Sequence, residues 1–275
     1  MKKLWLDNKN FVVSGASSGL GRIITKKLLE RGCTVTGIGR SEKKFNAFKT
    51  SLSAENAERF NVEIFDVTVE ENWIKLKEKL EKKYGKIDGL INCAGIFPPF
   101  RKAVDVPAEN VKTVMDTDFF SAVYAINHLY PLIKDSEEAA IVNVSSASAL
   151  ASITGTSAYS AAKSALKSYT EILAEELRGK AYVGLVMPGF ARTDIFRSQN
   201  TDISSDNLLA KVSMPADKMA NKIFNGIAKK KKRMIFGADA HALNFFNKLM
   251  PKTLTKTIPK VLKQSKMELF KDLFD

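Results

Sequence analysis

The stretch from Asn10 to about Arg31 leaves this chain little choice of architecture. Asn10-Phe-Val-Val-Ser14 is a short apolar run of strand character, Gly15-Ala-Ser-Ser-Gly19-Leu-Gly21 follows at once, and a helical pattern begins at Leu20. Strand, glycine-rich turn and helix in direct succession make a βα unit, and parallel strands need such crossovers. The glycines allow a tight turn and close approach of a ligand to the backbone. The helix start offers free N–H groups, which suits a pyrophosphate. Gly15, Ser17, Ser18, Gly19, Leu20 and Gly21 are therefore candidate residues of a dinucleotide cradle. A plain βα turn uses the same glycines, so the rest of the chain decides between the two.

Strands and helices alternate from there on. Strand-like runs cover Cys33 to Gly39, Asn61 to Phe65, Asp88 to Asn92, Ala140 to Val144, Ala181 to Met187 and Met234 to Phe236. Between them lie helical patterns from Glu70 to Tyr84, Glu109 to Leu132, Ser157 to Arg178 and Pro215 to Ala228, the first with Trp73, Ile74, Leu76 and Leu80 as a buried stripe. The alternation predicts an α/β fold: a doubly wound, Rossmann-type parallel sheet of about seven strands with helices on both faces. Residues 1–237 form the dinucleotide-binding and catalytic domain of this reading, and 238–275 a basic amphipathic helical extension. Residues 190–213, which mix Phe190, Ile195 and Phe196 with polar groups, read as a mobile flap.

At 275 residues, 45% hydrophobic and 27% charged, the composition is that of a globular enzyme-sized chain. Cys33 and Cys93 make neither a disulfide framework nor a metal site, which fits a reducing cytoplasm, and no metal is expected. Met1 to Asp7 lacks the apolar core of a signal peptide, and no apolar run reaches membrane-spanning length. The net charge of +13 is lopsided: from Lys229 onward there are twelve Lys or Arg against four Asp or Glu. The lysine run lacks a nucleic-acid reading motif and interleaved stacking aromatics, so no nucleic-acid partner is expected.

Two places carry specific chemistry. The second strand ends Gly37-Ile-Gly39-Arg40-Ser41, with no acidic residue to bond a ribose 2′-hydroxyl; Arg40 and Ser41 favour a 2′-phosphate, hence NADP(H). After the run Ala140 to Val144 come Ser145 and Ser146, then Tyr159 and Lys163, four apart and so on one helical face. A phenol is a poor proton donor near neutral pH, and a lysine cation beside it moves its pKa toward the working range.

Taken together these residues closely resemble the short-chain dehydrogenase/reductase family from about Phe11 to Phe236. Ser14-Gly-Ala-Ser-Ser-Gly-Leu-Gly21 resembles its cofactor motif, with Ser14 in place of Thr. Asn92-Cys-Ala-Gly95 resembles its Asn-Asn-Ala-Gly motif, with Cys93 for the second Asn. Tyr159 and Lys163, with Ser146 thirteen residues before the tyrosine, have the family's catalytic spacing. Pro188-Gly189 followed by Thr193 resembles its nicotinamide-binding turn. The resemblance implies Tyr159 as general acid, Lys163 as the group that lowers its pKa and bonds the nicotinamide ribose, and Ser146 as the holder of the substrate oxygen. Ser145 is then structural. Asp66 and Val67 would border the adenine, with Asn92, Ala94 and Gly95 also beside the cofactor. Homodimers or homotetramers are the implied assemblies. One departure stands out: the family's relay Asn is matched by Asp118, whose charge would partly offset Lys163.

The expected activity is interconversion of a ketone or aldehyde and an alcohol with NADP(H). Phe97, Phe100, Leu150, Ile153, Phe190, Ile195 and Phe196 fall on segments expected to rim the site, which favours an apolar small-molecule substrate. A non-catalytic dinucleotide-binding protein is the alternative. In the extension, Lys248, Lys252, Lys256 and Lys260 recur every four residues beside Phe245, Phe246, Leu249 and Leu262, and Pro251 and Pro259 predict two or three short helices. Such a segment either caps the site or touches an anionic membrane surface, making the protein cytoplasmic with a peripheral membrane contact.

Overall fold

The structure is a computed structural model that describes residues 3–192, 213–265 and 270–274. Seven strands form one parallel sheet in the order β3-β2-β1-β4-β5-β6-β9. They are β1 (Asn10–Ser14), β2 (Thr34–Gly39), β3 (Phe60–Ile64), β4 (Gly89–Asn92), β5 (Ala140–Val144), β6 (Tyr182–Pro188) and β9 (Arg233–Phe236). A two-residue pair, β7 (Ala191–Arg192) with β8 (Met214–Pro215), stands apart. Helices α1 (Gly19–Leu29), α2 (Glu42–Thr50), α3 (Ala54–Glu58), α4 (Glu70–Tyr84), α5 (Ala108–Met115), α6 (Ser121–Ile133), α7 (Ser157–Glu176) and α8 (Ala216–Ala228) make the crossovers. The order reverses between β1 and β4, so a crevice opens at the carboxyl ends of those two strands, where such sheets bind their ligands.

Strand periodicity divides the core. Phe11 and Val13 enter one apolar layer with Ile24, Leu28 and Phe224, under α1 and α8. Val12, between them, points to the other layer, with Trp73, Leu80 and Leu129 under α4 and α6. Trp73 is fully buried, and its indole donates to the Val67 carbonyl at 2.9 Å, so the largest apolar side chain there leaves no donor unpaired. Ile74, expected on the same stripe, is 41% exposed. It follows Trp73 directly, about 100° round the helix, and the wide indole already fills the contact.

The helix expected over Glu109 to Leu132 is not continuous. α5 ends at Met115, Asp116–Phe120 form a π-helical turn, and α6 begins at Ser121. The wider turn shifts the register of its side chains, and such turns are common at functional sites. In the extension, α9 (Ala238–Leu249) and α10 (Pro251–Gln264) break at Pro251 as expected, while Pro259 lies inside α10 without ending it. A further short helix, α11 (Lys271–Phe274), follows. The expected flap overlaps 193–212, which lie outside the described residues along with Thr193, Ile195 and Phe196.

Candidate active site

The glycine turn closes by necessity of shape. Gly15 takes φ +71°, and a Cβ there would fall 2.8 Å from Ala94 N and the Cys93 carbonyl; a Cβ on Gly21 would fall 2.3 Å from the Gly15 carbonyl. The turn is fastened to the neighbouring strand by Ser14, whose hydroxyl accepts from Cys93 N at 3.1 Å and Ala94 N at 3.2 Å. Above the turn a cleft of about 330 Å³ is lined by Gly15, Ser18, Gly19, Leu20, Gly21, Arg40, Ala94, Gly95, Ser146, Tyr159, Lys163, Pro188 and Gly189. These predicted residues come from the carboxyl ends of five strands and the segments that follow them, including the starts of α1 and α7, and they line one trough. Its shape suits an extended dinucleotide, with the free N–H groups of α1 at the middle, since Ser18 caps that helix with no side-chain bond.

Other predicted residues lie behind the lining. The Ser41 hydroxyl caps α2, accepting from Lys44 N at 3.3 Å. Asp66 Oδ1 accepts from Thr68 N at 3.0 Å and from its hydroxyl at 2.8 Å, and Val67 is buried beside Trp73. Ser17 stands against Gly39, where a Cβ would meet its hydroxyl at 2.9 Å. Asn92 is buried and donates to Asn143 Oδ1 at 2.8 Å; Asn143 in turn donates to Thr170 at 2.9 Å, a polar chain that ties β4, β5 and α7 together. Arg40 is exposed at the rim, 4.0 Å from Asp66, and Lys44 stands with it in the lining.

At the other end Tyr159 and Lys163 rise from the first turns of α7 with their side chains nearly covered. Lys163 Nζ lies 5.7 Å from the Tyr159 ring centre, donates to the Val144 carbonyl at 3.2 Å, and stands 3.3 Å from Asp118 Oδ2. That last contact is an ion pair without hydrogen-bond angles, since Oδ2 has no hydrogen-bond partner. Asp118 Oδ1 accepts from Ile96 N at 2.8 Å, so the π-turn carboxylate binds the loop after β4 to the lysine of α7. A Cβ on Gly95 would lie 3.2 Å from both Asp118 Oδ2 and Lys163 Nζ, so the loop backbone closes over the pair. The Ser146 hydroxyl accepts from Ser148 N at 3.2 Å and lines the same cleft as the phenol. Ser145 is turned away and donates to the Lys163 carbonyl at 2.7 Å, which fixes the helix to the strand end.

The electrostatics differ from the simple expectation for Tyr159. Burial pushes the phenol above its ordinary pKa; Lys163 pulls it down, Asp118 pushes it up again, and Ser146 pulls it down. Burial also works against the charge of Lys163, but Asp118 and Tyr159 outweigh it and hold that pKa above the usual value. Asp118 itself is raised by burial, against the pull of Lys163 and the Ile96 N–H.

Phe97 packs edge-on to Tyr159 at 4.7 Å, Phe100 stands 5.2 Å from Phe97, and Phe270 meets Phe100 at 4.8 Å. Phe97, Ile153 and Phe190 line the cleft; Leu150 packs instead with Leu185, Met187 and Ala240 in the core. Phe270 and Leu273, from far along the chain, are buried behind this wall. Nothing in their local sequence pointed to it. Asp239 is another residue that sequence reasoning missed. Its Oδ2 accepts from Phe190 N at 2.7 Å, and Oδ1 fills the space a Cβ on Gly189 would need, 2.2 Å away. It fixes the Pro188–Gly189 turn from the start of α9.

A doubly wound sheet with a dinucleotide crevice and a Ser–Tyr–Lys group at its rim defines a nicotinamide-dependent oxidoreductase. The family model described as short chain dehydrogenase matches residues 9–204, and the chain belongs to that family. It is 30% identical to the serine 3-dehydrogenase of Rhizobium radiobacter over 216 residues, covering 77% of this chain and 85% of that protein. Among solved structures it is similar to a short-chain dehydrogenase/reductase of Burkholderia phymatum in complex with NAD (TM-score 0.75, 21% identity, 85% of this chain and 90% of that one). It is likewise similar to a short chain dehydrogenase of Burkholderia cenocepacia in complex with NADP (TM-score 0.76, 21% identity, 92% and 98%). The chain is thus an oxidoreductase acting on CH–OH and C=O groups.

Proposed function

We propose that this protein is an NADP(H)-dependent oxidoreductase that interconverts a carbonyl and an alcohol on an apolar substrate. The observation that carries the reading is the group of Ser146, Tyr159 and Lys163 at one end of a trough whose other end holds Arg40 and Lys44. A nicotinamide dinucleotide, when bound, supplies the hydride; the protein supplies orientation and the proton. Ser146 holds the substrate oxygen, Tyr159 gives or takes the proton at that oxygen, and Lys163 stabilises the phenolate left behind. Arg40, with Lys44, meets a 2′-phosphate, and Gly15, Ser18, Gly19, Leu20 and Gly21 cradle the pyrophosphate. Ala94, Gly95, Pro188 and Gly189 flank the nicotinamide half, with Thr193 assigned there by the family resemblance alone, while Ser17, Ser41, Asp66, Val67 and Asn92 shape the trough from behind. Phe97, Ile153 and Phe190 favour an apolar ketone or aldehyde.

The test is NADPH oxidation over a panel of carbonyl compounds, with Tyr159→Phe as control. That variant keeps the ring and removes the hydroxyl, so turnover should fall by about 10²–10⁴-fold while NADPH still binds. Near-normal turnover would remove Tyr159 from the mechanism. NADPH binding with no turnover on any carbonyl would favour the non-catalytic alternative. We also propose self-association, supported by exposed Phe120 (38%) and Ile172 (57%) on the neighbouring π-turn and α7, to be measured by analytical ultracentrifugation. A cytoplasmic location is part of the same reading; among the described residues no helix is long and apolar enough to cross a membrane.

A further inference from the structure

Helix α9 turns its apolar side outward. Ala242, Phe245, Phe246 and Leu249 follow the spacing of one helical face and all are exposed, Phe245 at 55% and Leu249 at 62%. The opposite face holds Ala240, Leu243 and Asn247, and Asn247 donates to the Leu150 carbonyl at 2.8 Å. Met250, 45% exposed, continues the apolar surface to the start of α10. Helix α10 is built the other way round. Leu254, Ile258 and Leu262 are half-buried, while Lys252, Lys256 and Lys260 recur every fourth position in the open. Between Ala240 and Ser265 there is no Asp or Glu.

We propose that α9 and α10 form a docking surface for an anionic lipid bilayer, a property independent of the activity argued above. Phe245, Phe246, Leu249 and Met250 enter the boundary between headgroups and acyl chains, and Lys248 with the lysines of α10 meets the anionic headgroups. A solvated structural cap accounts for most of α10, where Leu254, Ile258 and Leu262 are half-buried and Val261 is exposed. It does not account for α9, which shows an apolar face to water. A second copy would cover that face too, but across a two-fold axis it would bring two acid-free, lysine-bearing surfaces together. A surface that is apolar and positive, with no carboxylate within it, is complementary to anionic lipid. The placement adds a use: α9 is fastened to Leu150, a short step along the chain from Ser146, so an apolar substrate dissolved in the bilayer would be held near the cleft.

The test uses the full-length protein with phosphatidylcholine vesicles, with and without phosphatidylserine, at low and high salt. Co-sedimentation with the anionic vesicles alone, reduced by salt, is the expected result. Phe245→Ser with Leu249→Ser should abolish sedimentation, leaving the melting temperature and turnover of a water-soluble substrate unchanged. Each of Lys252→Gln, Lys256→Gln and Lys260→Gln should weaken anionic binding by about fivefold. No binding to anionic vesicles at low salt, or binding indifferent to the Phe245/Leu249 pair, would overturn the proposal. So would a drop in oligomeric state in that double variant, which would assign the stripe to a second copy of the chain.

Discussion

Asp118 has no exposed side-chain surface, yet it is an acid placed where an uncharged amide would hold the same backbone N–H. Its cost and its use both come from charge. Burial disfavours the carboxylate, the lysine compensates, and the negative charge makes the phenolate of Tyr159 harder to form. Asp118→Asn keeps the acceptor for Ile96 N and removes the charge. Because the carboxylate raises the phenol pKa, its removal lowers that pKa, and the pH profile of alcohol oxidation should move to lower pH. A profile that stays in place would show the two groups to be uncoupled. The spacing of Asp118 to the catalytic strand was legible in the sequence; its burial was not, because no local pattern says which face of a π-turn meets a neighbouring lysine. Arg40 was legible as a donor at a strand end. Arg40→Ala removes a charge-assisted bond worth about 1.5–3 kcal/mol to a 2′-phosphate, less for an exposed side chain, so NADPH should weaken roughly tenfold or more while NADH hardly changes. Equal losses, measured by fluorescence titration, would make Arg40 a plain surface charge.

Element by element, the strands and the glycine turn were readable because buried parallel strands are continuous apolar runs and the turn needs glycine for its shape. Gly21→Ala would put a methyl 2.3 Å from the Gly15 carbonyl, so the turn must open. The expected outcome is loss of dinucleotide affinity with a lower melting temperature, both measurable on one sample. The break between α5 and α6 was not readable: one widened turn perturbs the apolar periodicity too little to show against two flanking helices. Nor was the destination of α11, since contacts between distant segments leave no local trace. Phe270→Ala empties a place beside Phe100 in the wall behind Tyr159. It should raise KM for apolar carbonyls more than it alters NADPH binding; unchanged kinetics on such substrates would confine Phe270 to packing.

For the molecule as a whole, the cofactor trough draws on loops from most of the sheet, so ligand binding should stabilise everything at once. NADPH at about 100 times its Kd adds about 2.7 kcal/mol, which in a chain of this size raises Tm by roughly 5 °C or more, with a smaller rise for NADH at the same concentration. Identical rises would remove the case for NADP(H). The buried Phe270 and Leu273 carry a different consequence, one of wear. They back the wall of the cleft but belong to none of the seven strands, and they are joined to the sheet through the outlying α9 and α10. A single protease cut within exposed α10 would release that wall and leave the sheet intact. Ageing preparations should therefore lose turnover on bulky substrates while still binding dinucleotide, with a lowered melting temperature because two buried side chains leave the packing, so that specific activity, not solubility, is the measure of an undamaged molecule.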